Sequence, residues 1–173
     1  MKELYEQKTK LDVMYNVVQD FPREGVRFID FTPSVYNISY FMHLVNKLKD
    51  ELPECDYIIS PDARGFIWGS GVALVKGVGM IPIRKVGKLP PQVVGSYYVY
   101  NTEYSTETLE IPLIDLTGKK VVFIDDVYAT GGTYEAAKRL VSDRGGDLIA
   151  GKVIYDVGIK DSDIISLFKG DAL

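Results

Sequence analysis

The chain has 173 residues, 46% of them apolar and 25% charged, and carries a net charge of −4. One domain usually takes roughly 100–200 residues, so a single domain with a real hydrophobic core is expected, and disorder or a fibrous repeat is excluded. The acidic balance argues against a nucleic-acid or acidic-membrane binder, which needs a basic face. The lone cysteine, Cys55, can form no internal disulfide and suits a reducing cytoplasm. No apolar run approaches the ~20 residues of a membrane span. The start, MKELYEQKTK, carries acids and no apolar stretch, unlike a secretory leader. A Ser-His-Asp triad or multi-histidine zinc site would have to be built around the single histidine, His43.

In chain order, residues 4–19 read as an amphipathic helix, with Leu4, Leu11, Met14, Tyr15 and Val18 on one face. Phe21-Pro22 ends it, and Gly25–Pro33 is a loop or short strand. A second helix is expected over 34–51, with Val35, Ile38, Met42, Val45 and Leu48 inward. Tyr57-Ile58-Ile59 reads as a strand, Ser60–Gly65 as a turn, and a helix follows to Lys76, stopped by Gly77. Met80–Arg84 is a second strand of this alternating region. Residues 85–111 hold a long stretch rich in Gly, Pro and Tyr. Val121–Ile124 is the next strand, followed by a glycine-rich turn. A helix over 133–144 has Ala136, Ala137, Leu140 and Val141 inward and a Glu135/Arg139 pair outward. Leu148–Tyr155 is a fourth strand. Strands alternating with helices predict an α/β fold with a mostly parallel sheet flanked by helices. Sites in such sheets lie at the carboxyl ends of the strands.

The run Val121–Thr133 carries the strongest chemical signal. Four apolar residues are followed by Asp125 and Asp126, and then by Tyr128-Ala129-Thr130-Gly131-Gly132-Thr133 opening a helix. Such a turn offers backbone N–H groups, two hydroxyls and the positive end of a helix dipole, which together hold a phosphate monoester. The glycines let the backbone approach the anion closely. The two acids suit the neighbouring part of the same ligand, either sugar hydroxyls or a hydrated magnesium ion. Together they describe a ribose 5-phosphate site. Gly146–Lys152 has the spacing of a Walker A loop, but it lacks the following Ser/Thr and leads into a strand where a helix is required.

This pattern resembles the signature of the type I phosphoribosyltransferases, and further segments resemble the adenine phosphoribosyltransferase branch. These are Phe21-Pro22-Arg23-Glu24-Gly25 with Phe28, Asp30 and Thr32-Pro33; Asp62-Ala63-Arg64-Gly65-Phe66; Arg84–Pro90; and Glu103-Tyr104 with Leu109-Glu110-Ile111. They occur in the family's order across residues 20–150. The resemblance implies a type I phosphoribosyltransferase fold in one domain, 1–173. A small N-terminal hood (1–35) would cover the base site, and a mobile lid (86–108) would keep water from a ribosyl cation. It implies transfer of the 5-phosphoribosyl group from phosphoribosyl pyrophosphate to adenine, giving AMP and pyrophosphate. Mg2+ would be carried by the substrate, reaching Asp125 or Asp126 at most through water.

By the same resemblance, Asp125 and Asp126 would bind ribose hydroxyls, and Ala129, Thr130, Gly131, Gly132 and Thr133 the 5′-phosphate. Arg64, Arg84 and Lys88 would hold pyrophosphate, and the Asp62–Ala63 peptide would be cis. Phe28 would pack on the purine, with the backbone at 26–28 and Arg27 beside it. Glu103 would be the acid–base group near N7 of the base. The family's Arg or Lys between Phe28 and Asp30 is replaced by Ile29, which keeps a 6-oxopurine open as the alternative base. About three extra residues lie within 93–102, and Asp163–Leu173 is short and does not match. A ligand-sensing regulator would need an added DNA-binding domain or basic surface. The resemblance also implies a cytoplasmic homodimer that contacts neither nucleic acid nor membrane.

Overall fold

The computed structural model describes residues 5–10, 13–101, 106–159 and 163–170. A seven-stranded sheet has the order β10-β9-β8-β4-β5-β7-β6. Its strands are β4 (Tyr57–Pro61), β5 (Gly79–Lys85), β6 (Val94–Asn101), β7 (Thr106–Pro112), β8 (Lys120–Tyr128), β9 (Asp147–Asp156) and β10 (Ile165–Lys169). From β10 to β5 every pairing is parallel; β7 and β6 add an antiparallel hairpin at one edge.

Period-two alternation splits the core across the sheet. Ile58, Val122, Ile124 and Ile154 point to one face, where α2 (Ile38–Lys49) and α3 (Arg64–Lys76) supply Leu44, Val45, Leu48, Trp68 and Val72. Ile59, Val121, Phe123 and Val153 point to the other, where α4 (Gly132–Asp143) supplies Ala136, Ala137, Leu140 and Val141. Strands buried on both faces read as continuous apolar runs, which is why they are visible in the sequence.

The N-terminal segment corrects the expected helix over 4–19. It forms two antiparallel strands, β1 (Tyr5–Lys10) and β2 (Val13–Gln19), joined by β3 (Arg27–Asp30) in a separate three-stranded sheet. Val13, Tyr15 and Val17 are buried while Met14, Asn16 and Val18 are less so, an alternation of two that β-branched residues favour. This sheet packs on the α2/α3 face through Val13, Tyr15, Val17, Ile29 and Phe31. The Asp30 carboxylate accepts from the Thr32 N–H (3.0 Å) and Asn16 Nδ2 (3.1 Å), and Ser34 Oγ donates to the Met14 carbonyl (2.6 Å).

The helix expected over 34–51 is broken into α1 (Thr32–Val35) and α2, which restarts at an Asn37 cap. The restart resets the phase. Leu44, Val45 and Leu48 face inward, while Ile38 and Met42 are exposed. On α4, Glu135 pairs with Lys138 (3.5 Å) rather than with Arg139. The unmatched C-terminal segment contributes β10. Residues 86–108 are strand for much of their described length, and Tyr97, Tyr98 and Tyr100 stand on the edge strand β6.

Candidate active site

Parallel strands bring the ends of β4, β5 and β8 to one edge of the sheet. The β4–β8 pairing stops at Ile59 and Phe123, while β8 continues beside β9 to Tyr128. Asp125 and Asp126 therefore lie within the strand, three and two residues short of its end, where β4 has already parted from it. Both are buried, and the Asp126 N–H donates to Asp125 Oδ1 (2.8 Å). Burial and the neighbouring Asp126 charge push the Asp125 carboxyl well above the usual range. Burial also raises Asp126, and the Arg64 guanidinium pulls it back.

Beyond the acids the chain turns into α4. Gly131 is left-handed (φ 83°), and a Cβ there would run into the Tyr128 hydroxyl. No side chain caps α4, so its first-turn amides face a small cavity of 120 Å³. Ala129, Thr130, Gly131, Gly132, Thr133 and Asp125 all line that cavity. Thr133 Oγ1 donates to Tyr100 Oη (3.4 Å), linking the β6–β7 hairpin to this turn.

At the end of β4 the Asp62–Ala63 peptide is cis, as the resemblance implies. Gly65 packs against Pro61 and Asp125, where a Cβ would lie 2.7 Å from Pro61 Cδ. Arg64 reaches across the crevice. Its Nε lies 2.9 Å from Asp126 Oδ2, its Nη1 donates to the Ile29 carbonyl (3.1 Å), and its guanidinium stacks 4.6 Å from the centre of the Phe28 ring. In this state Arg64 ties the N-terminal sheet to the acid pair.

At the end of β5, Arg84 Nη1 donates to the Lys88 carbonyl (3.0 Å), and Arg84 Nε lies 3.8 Å from Asp62 Oδ2. Lys88 itself is exposed. Asp62 Oδ1, Arg84 Nε and Asp126 Oδ2 are buried without an aligned hydrogen bond, all three around this crevice. Asp126 Oδ2 is ion-paired with Arg64, so Asp62 Oδ1 and Arg84 Nε are the polar atoms here with capacity left for a ligand.

A larger cleft of 1090 Å³ opens beside Arg64, between the N-terminal sheet and the ends of β8 and β9. Phe21, Arg27, Phe28 and Ala129 line it. Phe21 and Phe28 meet edge to face, with ring centres 5.1 Å apart. Ile29 turns its side chain into the core and is 5% exposed. The structure thus gathers Arg27, Phe28, Arg64, Arg84, Lys88, Asp125, Asp126 and 129–133 along one edge. Glu103 lies outside the described residues. Glu110 lies in the motif Leu109-Glu110-Ile111, but sequence reasoning gave it no role; it is a buried acid that accepts hydrogen bonds from the Gly87 and Leu89 amides. Its signal was an acid set between two core residues, Leu109 and Ile111.

The sequence model of the phosphoribosyl transferase domain matches residues 38–169. The chain belongs to the phosphoribosyltransferase family. It is 46% identical over 140 residues to the adenine phosphoribosyltransferase of Rhodococcus jostii, covering 80% of this chain and 78% of that one. The crystal structure of the adenine phosphoribosyltransferase from Thermoanaerobacter pseudethanolicus is similar with a TM-score of 0.80 and 37% identity, over 88% of this chain and 94% of that one. The Saccharomyces cerevisiae adenine phosphoribosyltransferase, solved with an imino-altritol bisphosphate and adenine, is similar with a TM-score of 0.71 and 32% identity, over 90% and 85%. In a phosphoribosyltransferase, a phosphate turn beside two carboxylates is the part of the site that a ribose 5-phosphate requires.

Proposed function

We propose that this phosphoribosyltransferase transfers the 5-phosphoribosyl group from phosphoribosyl pyrophosphate to adenine, giving AMP and pyrophosphate, in purine salvage. The observation that carries the reading is the uncapped turn 129–133, set directly beside the buried pair Asp125–Asp126. The turn binds the 5′-phosphate and the acids accept hydrogen bonds from the ribose hydroxyls. Arg84 and Lys88 hold the pyrophosphate. Arg64 exchanges Asp126 for the same anion.

Adenine lies in the larger cleft on Phe28, recognised by backbone at 26–28, with Arg27 at its rim. Ile29 lines the cleft while its side chain packs in the core, and the base is held by the Phe28 ring and the neighbouring backbone. Glu103 serves as the acid–base group, and the segment 86–108 acts as the lid. Magnesium arrives with the substrate. Among the described residues no three His, Cys, Asp or Glu side chains cluster as a metal site, and the hard carboxylate oxygens at the crevice fit an ion that brings phosphate and water ligands of its own. A cytoplasmic homodimer completes the proposal; no helix among the described residues is long and apolar enough to cross a membrane.

Pyrophosphate release with phosphoribosyl pyrophosphate, magnesium and each purine in turn tests it. Release with adenine alone is expected. Release with hypoxanthine, guanine or xanthine would overturn the choice of base. Binding without turnover would favour a sensing role.

A further inference from the structure

The turn after β5 is tied down more completely than a loop between strands requires. Four consecutive backbone amides have partners: Val86 N–H on the Thr108 carbonyl (3.0 Å), Gly87 N–H on Glu110 Oε1 (2.7 Å), Lys88 N–H on the Lys85 carbonyl (3.2 Å) and Leu89 N–H on Glu110 Oε2 (3.3 Å). The Lys88 carbonyl accepts from Arg84. Glu110 stands opposite Arg84 in the β5–β7 ladder, 5% exposed, between the core residues Leu109 and Ile111. A carboxylate at such a position is costly unless hydrogen-bonded. A core strand serving packing alone is cheaper with an apolar residue. Both Glu110 oxygens are committed to the turn that presents Lys88. With its amides occupied, that turn offers an anion only side chains, so where Lys88 projects depends on the backbone Glu110 holds.

We propose that Glu110 is a positioning residue for pyrophosphate, fixing the 85–89 turn so that Lys88 faces the leaving group. This rests on the pyrophosphate reading of Arg84 and Lys88 above. The test measures, by calorimetry, the affinities of wild type, Glu110→Gln, Lys88→Ala and the double variant for magnesium pyrophosphate and for AMP, which does not reach the turn. Glu110→Gln keeps one acceptor and sets its amide group against the Leu89 N–H.

It is expected to weaken pyrophosphate about tenfold, the scale of one charge-assisted hydrogen bond, and to leave AMP unchanged. The KM for phosphoribosyl pyrophosphate should rise while that for adenine stays. In the Lys88→Ala background the same substitution should change pyrophosphate affinity less than about twofold, because the two act as one unit. Glu110→Asp, which keeps the charge but cannot span both amides, is expected to behave alike and serves if the Gln variant does not fold. Equal losses for AMP and pyrophosphate, or an undiminished loss in the Lys88→Ala background, would overturn the proposal. Wild type that binds AMP but not pyrophosphate would overturn the parent reading of the turn, and this one with it.

Discussion

Asp125 and Asp126 set stability against function at the scale of single residues. Two carboxyls share a buried site, and burial together with the second charge raises Asp125. An acid whose folded value is raised keeps a proton that the unfolded chain gives up, so folding loses stability as pH rises from about 4, the unfolded value, through the folded one. Asp125→Asn removes that loss and still accepts the Asp126 N–H. The variant should gain thermal stability at neutral pH and gain little near pH 4, while its affinity for AMP falls. A melting temperature that shifts equally at both pH values would contradict the electrostatic account. Gly131→Ala makes a complementary case. A left-handed alanine costs roughly 1–2 kcal/mol, and its methyl meets the Tyr128 hydroxyl. Denaturant unfolding should register that loss, and calorimetry a weaker AMP complex.

Among the elements, the N-terminal sheet carries the proposed base site, and Arg64 joins it to the rest of the crevice. Its three contacts span the acid pair, the Ile29 carbonyl and the Phe28 ring. Lysine keeps the charge but not the planar fork. Arg64→Lys should therefore speed hydrogen exchange of the β3 amides and raise the KM for adenine, with the exchange of β8 unchanged. Uniform acceleration across the chain would mean that Arg64 is a general stabiliser instead.

This sheet is also where sequence reading failed. Met14, Tyr15 and Val18 satisfy a helical period as well as Val13, Tyr15 and Val17 satisfy a strand period. Only packing on Phe31 and α2 decides between them. The phase of α2 was hidden by a cap at Asn37 that restarts the helix. By contrast β4, β8 and β9 were legible because burial on both faces leaves an unbroken apolar run. The turn 129–133 and its acid pair were legible as a candidate phosphate site because their glycines, hydroxyls and acids are contiguous. Glu110's grip on the turn and Arg64's on Ile29 join residues 21 to 35 positions apart, beyond the reach of any local pattern.

For the whole molecule, the strand order does the assembling. β8 and β5 flank β4, so three loops from distant parts of the chain meet at one edge, and the N-terminal sheet reaches the loops after β4 and β8 through Arg64 and the shared cleft. A ligand bound at that edge should stabilise the fold by mass action, about 2.7 kcal/mol at a hundredfold excess over its Kd. AMP should therefore raise the melting temperature with or without magnesium. If the metal arrives with the pyrophosphate, as proposed, chelation should abolish turnover while leaving that shift in place; loss of the shift on chelation would assign the metal to the protein.

The most direct measurement is a crystal structure of the protein with AMP and magnesium pyrophosphate. The account predicts the 5′-phosphate on the amides of 130–133, the ribose diol on Asp125 and Asp126, and the pyrophosphate against Arg84 and Lys88. A phosphate seated elsewhere, with the 129–133 turn empty, would contradict it.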